Sequence, residues 1–340
     1  MLRSYRIALV LLLLLPATLT SAQRKAPLSI HTLRLPAEIA DRNNQFSGLF
    51  TYGNQLLLLS ESRLQDRAEA KVYGIDLPSL DRQLADTTQA LTYQKYAIQH
   101  LDKIRARLDS ACQEYEGLEG ITLVGDTAYF TIETTTPSTY CYLIKGAVHA
   151  ASATIVLDTD YLVPLPKPAL TDNSHIHNAG FEAATGYNKS LLLFFEYNYF
   201  RHDNYALRIP NATRLPDIPQ QVPVQRLPFR ITDLVYEGKN RFTAINYFYN
   251  GADDSVYRPT PTDPNARLVL DGNGKYQNYC RLISLHYKRD KISWKPLLEL
   301  PREYMTYNWE GLAAYRGGYF LINDKYGPSG RSTLLYMGRR

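Results

Sequence analysis

EGITLVGDTAYFTIE, the sequence of residues 119–133, has the pattern of a β-hairpin. Apolar residues lie on both sides of Gly125-Asp126, a pair that suits a tight turn because both residue types tolerate a positive φ. The stretch is symmetric about this turn, so we expect Glu119 and Glu133 to lie opposite each other on neighbouring strands. Cross-strand neighbours are about 5 Å apart at Cβ. Two carboxylates at that distance repel each other, and a cation or a shared proton would relieve the repulsion.

The same unit occurs five times along the chain. In each copy a polar residue opens the hairpin, a turn pair lies near its midpoint, and a second polar residue closes it 14 positions after the first. The opening and closing residues are Ser47 and Glu61, Glu119 and Glu133, Glu182 and Glu196, Thr232 and Asn246, and Glu310 and Asp324. Five copies with one spacing indicate a repeat architecture.

Further strand-like runs follow each hairpin, and several end at a Leu-Pro pair: Leu165-Pro166, Leu227-Pro228 and Leu300-Pro301. Four strands in each repeat correspond to one blade of a β-propeller. The sequence therefore predicts an all-β fold, a β-propeller with five four-stranded blades. A sixth blade is left open, because the gaps between the first and second hairpins and between the fourth and fifth are the longest.

The last repeat lacks its fourth strand, because the chain ends at Arg340. A spare strand-like run, SIHTLRLP, lies at residues 29–36 and has the same Leu-Pro ending. We expect it to complete the last blade. This closure would remove an exposed sheet edge and tie the two ends of the chain together.

Residues 1–22 have the pattern of a secretory signal peptide, with Arg3 and Arg6 before an apolar run and a small-residue cleavage site at its end. The alternative is an uncleaved membrane anchor. Residues 23–340 are then a single propeller domain, which contains no other segment apolar enough to span a membrane, and the protein is expected to be secreted or periplasmic. Cleavage leaves 36 basic and 33 acidic residues, a net charge of +3 that argues against a nucleic-acid partner.

Three cysteines lie in the exported part, namely Cys112, Cys141 and Cys280. Export permits disulfides, and an odd number leaves at least one thiol unpaired unless a partner chain supplies the other. Cys112 and Cys141 flank the second hairpin, so they are the pair that we expect to form a disulfide.

Equivalent positions of the blades converge on one face of a propeller, so the ends of the five hairpins should meet there. Seven of their ten opening and closing residues are carboxylates. Oxygen ligands without His or Cys favour a hard cation, and we predict calcium. The predicted metal ligands are Glu61, Glu119, Glu133, Glu182, Glu196, Glu310 and Asp324. The alternative is structural, with each glutamate capping backbone N–H groups of its own blade and no metal bound.

Four basic residues follow closing residues or precede an opening residue, and we predict that they bind an anionic substrate beside the metal. They are Arg63, His177, Arg201 and Lys325. The alternative is that they are solvated surface charges or hydrogen-bonded bystanders.

Several motifs together resemble the esterase-like phytase domain family. They are the runs EGLEGI at 116–121, NAGFEA at 178–183, ITDL at 231–234, NWEGL at 308–312 and the pair Asn323-Asp324. The resemblance extends from about Asn44 to Lys325 and implies a secreted or periplasmic propeller with phosphoester or ester hydrolysis at a calcium site. The sequence departs from the family pattern at Ala183, where a second Gly is usual, and at Ser47 and Thr232, which open hairpins without an acid.

The prediction from sequence is thus a calcium-dependent hydrolase of a small phosphoester or ester, expected to be a monomer. Glu119, Glu182 and Glu310 are the predicted catalytic residues. One rival is a non-catalytic propeller that binds a glycan, a peptide or a protein on the same face, with contacts from the many tyrosines and from the irregular insertion at 250–278. Lactone or carboxylester hydrolysis at the same metal centre is a third hypothesis.

Overall fold

The computed structural model describes residues 28–61, 64–67, 69–210, 212, 214, 219–251, 253–324 and 330–339. The predicted signal peptide lies outside these residues, and so do Arg63 and Lys325. Within the described part, strands dominate, and no helix is both long enough and apolar enough to cross a membrane.

Most strands belong to antiparallel four-stranded units in which sequence neighbours are sheet neighbours. Unit 1 contains β2 (Phe46–Tyr52), β3 (Gln55–Ser60), β4 (Lys71–Asp76) and β5 (Tyr93–Gln99). Unit 2 contains β6 (Tyr115–Val124), β7 (Thr127–Thr134), β8 (Tyr140–His149) and β9 (Thr154–Pro166). Unit 3 contains β10 (Ala183–Tyr187), β11 (Ser190–Phe194), β13 (Tyr205–Pro210) and β14 (Gln220–Pro223).

The two remaining units have additional features at their edges. Unit 4 contains β15 (Leu227–Tyr236), β16 (Arg241–Phe248), β17 (Tyr279–Lys288) and β18 (Lys291–Glu299), and the short β12 (Tyr197–Asn198) pairs with β15. Unit 5 contains β19 (Trp309–Tyr315), β20 (Gly318–Asn323), β21 (Leu334–Arg339) and β1 (Leu28–Leu33). The pairing of β1 with β21 confirms that the N-terminal strand completes the last unit.

The innermost strands of the units, β2, β6, β10, β15 and β19, contact one another in that order, and β19 contacts β2. They thus form a closed ring around an axis, which confirms the predicted all-β propeller. Units 1 and 2 also share one sheet, since the outer strands β5 and β9 pair in parallel. Because two units are joined in this way, the number of blades stays a prediction.

The described helices lie in the connections between strands. They are α1 (Ala37–Ala40), α2 (Leu77–Ala85), α3 (Leu101–Ala111), α4 (Ala266–Val269) and 3₁₀ turns at Arg42–Asn44, Ala150–Ser152, Asp253–Tyr257 and Arg302–Tyr304. In α3, Leu101, Ile104 and Leu108 are buried, the spacing that gives a helix one apolar face.

The core consists of apolar clusters between adjacent units. Because a blade is covered on both faces, its inner strands are continuous apolar runs rather than alternating ones. The run Leu56 to Leu59 in β3 is fully buried for this reason.

Two sequence predictions are wrong. Leu227-Pro228 begins β15 instead of ending the strand before it, since β14 ends at Pro223. The cysteines form no disulfide: Cys112, Cys141 and Cys280 are free, and Cys141 and Cys280 are buried in separate apolar clusters.

Candidate functional site

An acidic cavity of about 480 Å³ lies where the inner strands begin and the second strands end. Six of the seven predicted metal-binding carboxylates line this cavity: Glu61, Glu119, Glu133, Glu182, Glu310 and Asp324. Glu116 is a further carboxylate in its wall. The structure therefore brings together residues that are up to 263 positions apart in sequence, from Glu61 to Asp324.

β-Bulges occur at the opening residues of four hairpins. In unit 2 the register pairs Leu118 with Ile132 and then Gly120 with Thr131, so Glu119 is the extra residue between them. The same shift lies between Phe46 and Gly48, between Ile231 and Leu234, and between Trp309 and Gly311. The prediction that Glu119 lies directly opposite Glu133 is therefore wrong, because the bulge takes Glu119 out of the ladder. A bulge re-aims a side chain, and here each bulge lies where the strand borders the cavity.

Glycines after two of the opening residues permit the inner strands to approach closely. A Cβ added to Gly120 would overlap the carbonyl oxygen of Glu182 in the next unit. A Cβ on Gly311 would lie 2.8 Å from Cγ of Leu49 and 3.0 Å from its backbone nitrogen, which is closer than ordinary van der Waals contact. These glycines therefore keep the opening residues of adjacent units near the axis.

Backbone hydrogen bonds fix the closing residues in three units. The N–H groups of Glu61, Glu196 and Asp324 each donate to the carbonyl of the residue 16 positions earlier, at 2.6, 2.9 and 3.0 Å. In units 1 and 5 that earlier residue also donates a side-chain amide to the closing carboxylate. The Gln45 amide is 3.4 Å from Glu61 Oε2, and the Asn308 amide is 3.2 Å from Asp324 Oδ2.

Buried carboxylates of the cavity have raised pKa values. Burial is the largest cause for Glu119, and the charges of Glu61 and Glu133 add to it. Burial also raises the pKa of Glu133, with a further increase from Glu196 and an opposing effect of Lys167. Lys167 is itself buried and donates to the carbonyl of Thr134 at 2.7 Å.

The pKa values of Glu182 and Glu310 are raised by the same combination. Burial comes first for both, and Glu196 raises the pKa of each further, while Arg230 acts in the opposite direction. These carboxyl groups therefore favour either a bound proton or a neighbouring cation.

Glu133 Oε1 and Glu182 Oε2 lie in the cavity wall, and neither oxygen has a hydrogen-bond partner within the described part of the chain. Glu133 and Glu182 are 5% and 8% exposed, so water outside the cavity does not solvate them. The structural alternative, in which each glutamate caps backbone N–H groups, does not account for these two oxygens.

Glu196 is the one predicted metal ligand that does not line the cavity. Its side chain is 1% exposed and lies 3.4 Å from Nη1 of Arg230. The Tyr257 hydroxyl also hydrogen-bonds to it; burial raises the pKa of Tyr257, and the charge of Glu196 and this hydrogen bond raise it further. Glu196 is thus held by a cation and a phenol behind the cavity wall.

His177 and Arg201, the two predicted substrate-binding residues that the structure describes, do not line the acidic cavity. His177 is exposed, and its Nδ1 lies 2.7 Å from the hydroxyl of Thr136. Arg201 lies in a separate cavity of about 500 Å³ together with Tyr199 and Arg226. The other two, Arg63 and Lys325, fall outside the described residues.

Arg230 was missed by the sequence prediction. It is the only cation among the described residues that line the acidic cavity. Its position two residues before Thr232 matches that of Gln45 before Ser47 and of Asn308 before Glu310. This repeated offset is the sequence signal from which Arg230 could have been found.

Within the described ranges, no three His, Cys, Asp or Glu side chains are arranged closely enough to hold a metal ion between them. The carboxylates surround the cavity instead of converging on one point. The donor set is nevertheless composed entirely of oxygen, as a hard cation requires.

The sequence matches no family model, and no curated protein is significantly similar to it. Three solved structures illustrate the similarity in fold. The apo-form of the soluble aldose sugar dehydrogenase of Escherichia coli has 8% identity and a TM-score of 0.47, covering 92% of this chain and 100% of that chain. The arabinanase Arb43A of Bacillus subtilis has 10% identity and a TM-score of 0.48, covering 90% and 96%. The GH43_1 enzyme of Xanthomonas citri has 7% identity and a TM-score of 0.45, covering 88% and 90%. Similarity at this level concerns the fold and says nothing about substrate or reaction.

Proposed function

We propose that this protein is a secreted or periplasmic hydrolase that binds calcium in the acidic cavity and cleaves a small phosphoester or ester. The signal-peptide pattern of residues 1–22 supports export. The cavity supports a calcium site, since seven carboxylates and one arginine of the described residues line it.

The observation that carries the proposal is the pair of unpartnered oxygens, Glu133 Oε1 and Glu182 Oε2. A buried ionised carboxylate is costly unless it is paired with a cation or hydrogen-bonded. In a cavity with several more carboxylates, a bound cation would stabilise the ionised forms of these side chains together.

Calcium fits the donor set, because it takes about 6–8 oxygen ligands in flexible geometry and some of these are commonly waters. Because no three of the described acidic side chains converge on one point, water ligands would complete the coordination of the calcium ion. Glu119, Glu133, Glu182 and Glu310 would hold the ion, and Glu61 and Asp324 border the same space. When bound, such a cation supplies Lewis acidity toward a phosphoryl or carbonyl oxygen.

The resemblance to the esterase-like phytase domain family supports phosphoester chemistry through its motifs. Five carboxylates of these motifs line the cavity: Glu116, Glu119, Glu182, Glu310 and Asp324. The structure also explains why Ser47 and Thr232 stand where the family pattern has an acid. Both hydroxyls donate to carbonyls of the neighbouring unit, Ser47 to Leu118 at 2.8 Å and Thr232 to Trp309 at 2.7 Å.

The test is to melt the purified protein with calcium and with chelator, and then to screen phosphoesters and carboxylesters for calcium-dependent turnover. A ligand that binds only the folded state adds about 2.7 kcal/mol of stability at a hundredfold excess over Kd. We expect a calcium-dependent rise that Glu133→Gln reduces and that Glu303→Gln, at an exposed glutamate, leaves intact. Absence of a rise in the wild-type protein would refute the proposal.

The second candidate is a non-catalytic propeller that binds a glycan, a peptide or a protein in the same cavity. The observation that favours it is that no three acidic side chains of the described ranges gather around one point. Carboxyl groups with raised pKa values can carry protons and donate hydrogen bonds to hydroxyl groups of a ligand. This candidate predicts saturable ligand binding in chelator, without turnover.

A further inference from the structure

We propose that Arg230 forms an oxyanion-binding site in the acidic cavity and recognises the phosphate group of the substrate. This inference rests on the proposed function in taking a phosphoester as the ligand. Of the predicted anion-binding residues, His177 and Arg201 lie elsewhere on the surface, and Arg63 and Lys325 fall outside the described residues.

The repeat gives Arg230 its position. Gln45 and Asn308 occupy the equivalent position in units 1 and 5, and both line the cavity and donate to a closing carboxylate. In unit 4 the same position carries a cation. The opening and closing residues of that unit, Thr232 and Asn246, are the only pair without a carboxylate. Among the described residues of its wall, the cavity therefore has its one cation at unit 4, and its carboxylates come from the other units.

Three contacts of the Arg230 guanidinium are longer than a tight ion pair. Its nitrogens lie 3.4 Å from Glu196 Oε2, 3.7 Å from Glu310 Oε1 and 3.2 Å from Asn308 Oδ1. Charge-assisted hydrogen bonds are typically about 2.7–2.9 Å long. A guanidinium presents five N–H donors in a planar fork that matches two oxygens of a phosphate. A phosphate oxygen can thus form shorter bonds to the guanidinium than these three contacts.

The backbone at Arg230 is held in a strained conformation. The preceding residue, Phe229, has a φ of 67°, which is rare for a bulky side chain. The Asn246 amide donates to the carbonyls on both sides of Phe229, Pro228 at 2.8 Å and Arg230 at 3.0 Å. Strain of this kind persists where the surroundings enforce it, and it concentrates at functional sites.

A buried cation in turn holds Asn246. Arg281, which is 4% exposed, donates from Nε to Asn246 Oδ1 at 2.8 Å. Asn246 occupies the closing position that carries a carboxylate in each of the other four hairpins. An amide there can donate to two carbonyls, which a carboxylate cannot do. The asparagine at this closing position therefore serves to position Arg230.

The electrostatics of the cavity require such a residue. Carboxylates alone would repel a phosphate, so an anionic substrate needs cations on more than one side. Arg230 supplies a fixed charge at unit 4, and calcium would supply the charge among the carboxylates of the other units. The phosphate group would then lie between them.

The experiment is calorimetric titration with phenylphosphonate, a non-hydrolysable phosphoester mimic, in the presence of calcium. We expect Arg230→Gln to weaken phenylphosphonate binding by about 10- to 100-fold, the loss typical of a hydrogen bond to a charged group. Its calcium affinity should be unchanged or higher, because a positive charge has been removed. Arg316→Gln, at an exposed arginine that pairs with Asp81 at 2.7 Å, is the matched control and should bind like the wild type.

Arg230→Lys keeps the charge but loses the fork, so it should give an intermediate affinity, and it replaces Arg230→Gln if that variant does not fold. Wild-type affinity in both variants, or no phenylphosphonate binding by the wild-type protein with calcium, would overturn the inference. Phenylphosphonate binding that depends on Arg230 without turnover of any ester would refute the proposed function and keep the anion site. Calcium-dependent turnover with an unchanged KM in Arg230→Gln would support the proposed function and refute the anion site.

Discussion

Asp233→Ala should destabilise the ring of inner strands more than any other single removal of an acid. Asp233 lies in β15 and is buried. Its Oδ1 accepts the N–H of Leu234 at 2.7 Å, and its Oδ2 accepts the N–H of Leu312 at 2.7 Å and of Leu49 at 3.4 Å. Leu312 belongs to unit 5 and Leu49 to unit 1, so one side chain of unit 4 joins the inner strands of three units.

The magnitude follows from these three bonds. A buried N–H group that loses its partner costs about 1–3 kcal/mol, and two of the bonds are short while the third is long and weak. Alanine also removes a buried carboxyl whose pKa burial raises, which offsets part of the loss. We expect a net decrease of about 2–4 kcal/mol in the free energy of unfolding, a large share of the 5–15 kcal/mol typical of a domain. Asp233→Asn keeps one acceptor oxygen and should lose about half as much.

Urea denaturation followed by circular dichroism measures this loss. Asp126→Ala is the control, because Asp126 is an exposed acid in the β6–β7 turn that accepts the Tyr52 hydroxyl at 2.7 Å. An unchanged m-value would show that both variants unfold from the same folded state. If Asp233→Ala unfolds at the same urea concentration as Asp126→Ala, the axial hydrogen bonds do not stabilise the ring, and the reasoning is refuted.

Three further perturbations test the cavity and its packing. Glu133→Gln should raise the stability of the calcium-free protein in a thermal melt, because it removes a buried charge whose Oε1 has no partner among the described residues; a lower melting temperature in chelator would contradict this. In chelator, the free energy of unfolding should be greatest below the ordinary glutamate pKa of 4.5 and should fall as pH rises through the raised pKa values of the folded state. Saturating calcium should remove that fall. Equal slopes of stability against pH with and without calcium would count against a metal site. Gly120→Ala should lower the melting temperature, since its Cβ would overlap the Glu182 carbonyl, whereas Gly272→Ala, which has open space around it, should not.

The repeat made much of the fold predictable from the sequence. The spacing of 14 residues located all five hairpins, and the missing strand of the last repeat predicted that residues 29–36 would pair with the C-terminal strand. Ser29 indeed lies opposite Gly338. These predictions succeeded because a repeated unit gives the same physical signal several times, whereas a single hairpin gives it once.

Arg230 shows where residue-type reasoning was insufficient. The sequence prediction looked for cations next to the closing acids, which led to Arg201 and to residues outside the described ranges. The cation in the cavity lies beside an opening threonine in the one repeat without a carboxylate at either position. Its placement depends on the left-handed Phe229 and on the two hydrogen bonds of Asn246, which link residues 16 to 18 positions apart. No local pattern encodes such contacts.

The bulges explain why the acidic residues gather in one cavity although the simple hairpin would pair them. In a regular ladder side chains alternate between faces, so Glu119 would lie on one face of its blade and be covered by a neighbouring unit. The extra residue breaks the alternation, and Glu119 borders the cavity instead.

Sequence periodicity does not reveal one inserted residue, but glycine after the opening residue does carry the signal, since glycine in a strand often marks a bulge or a close backbone approach. Gly48, Gly120 and Gly311 have that position in three of the four bulged hairpins. In the fourth, Asp233 takes the place of the glycine, and its carboxylate accepts N–H groups from the strands that approach there.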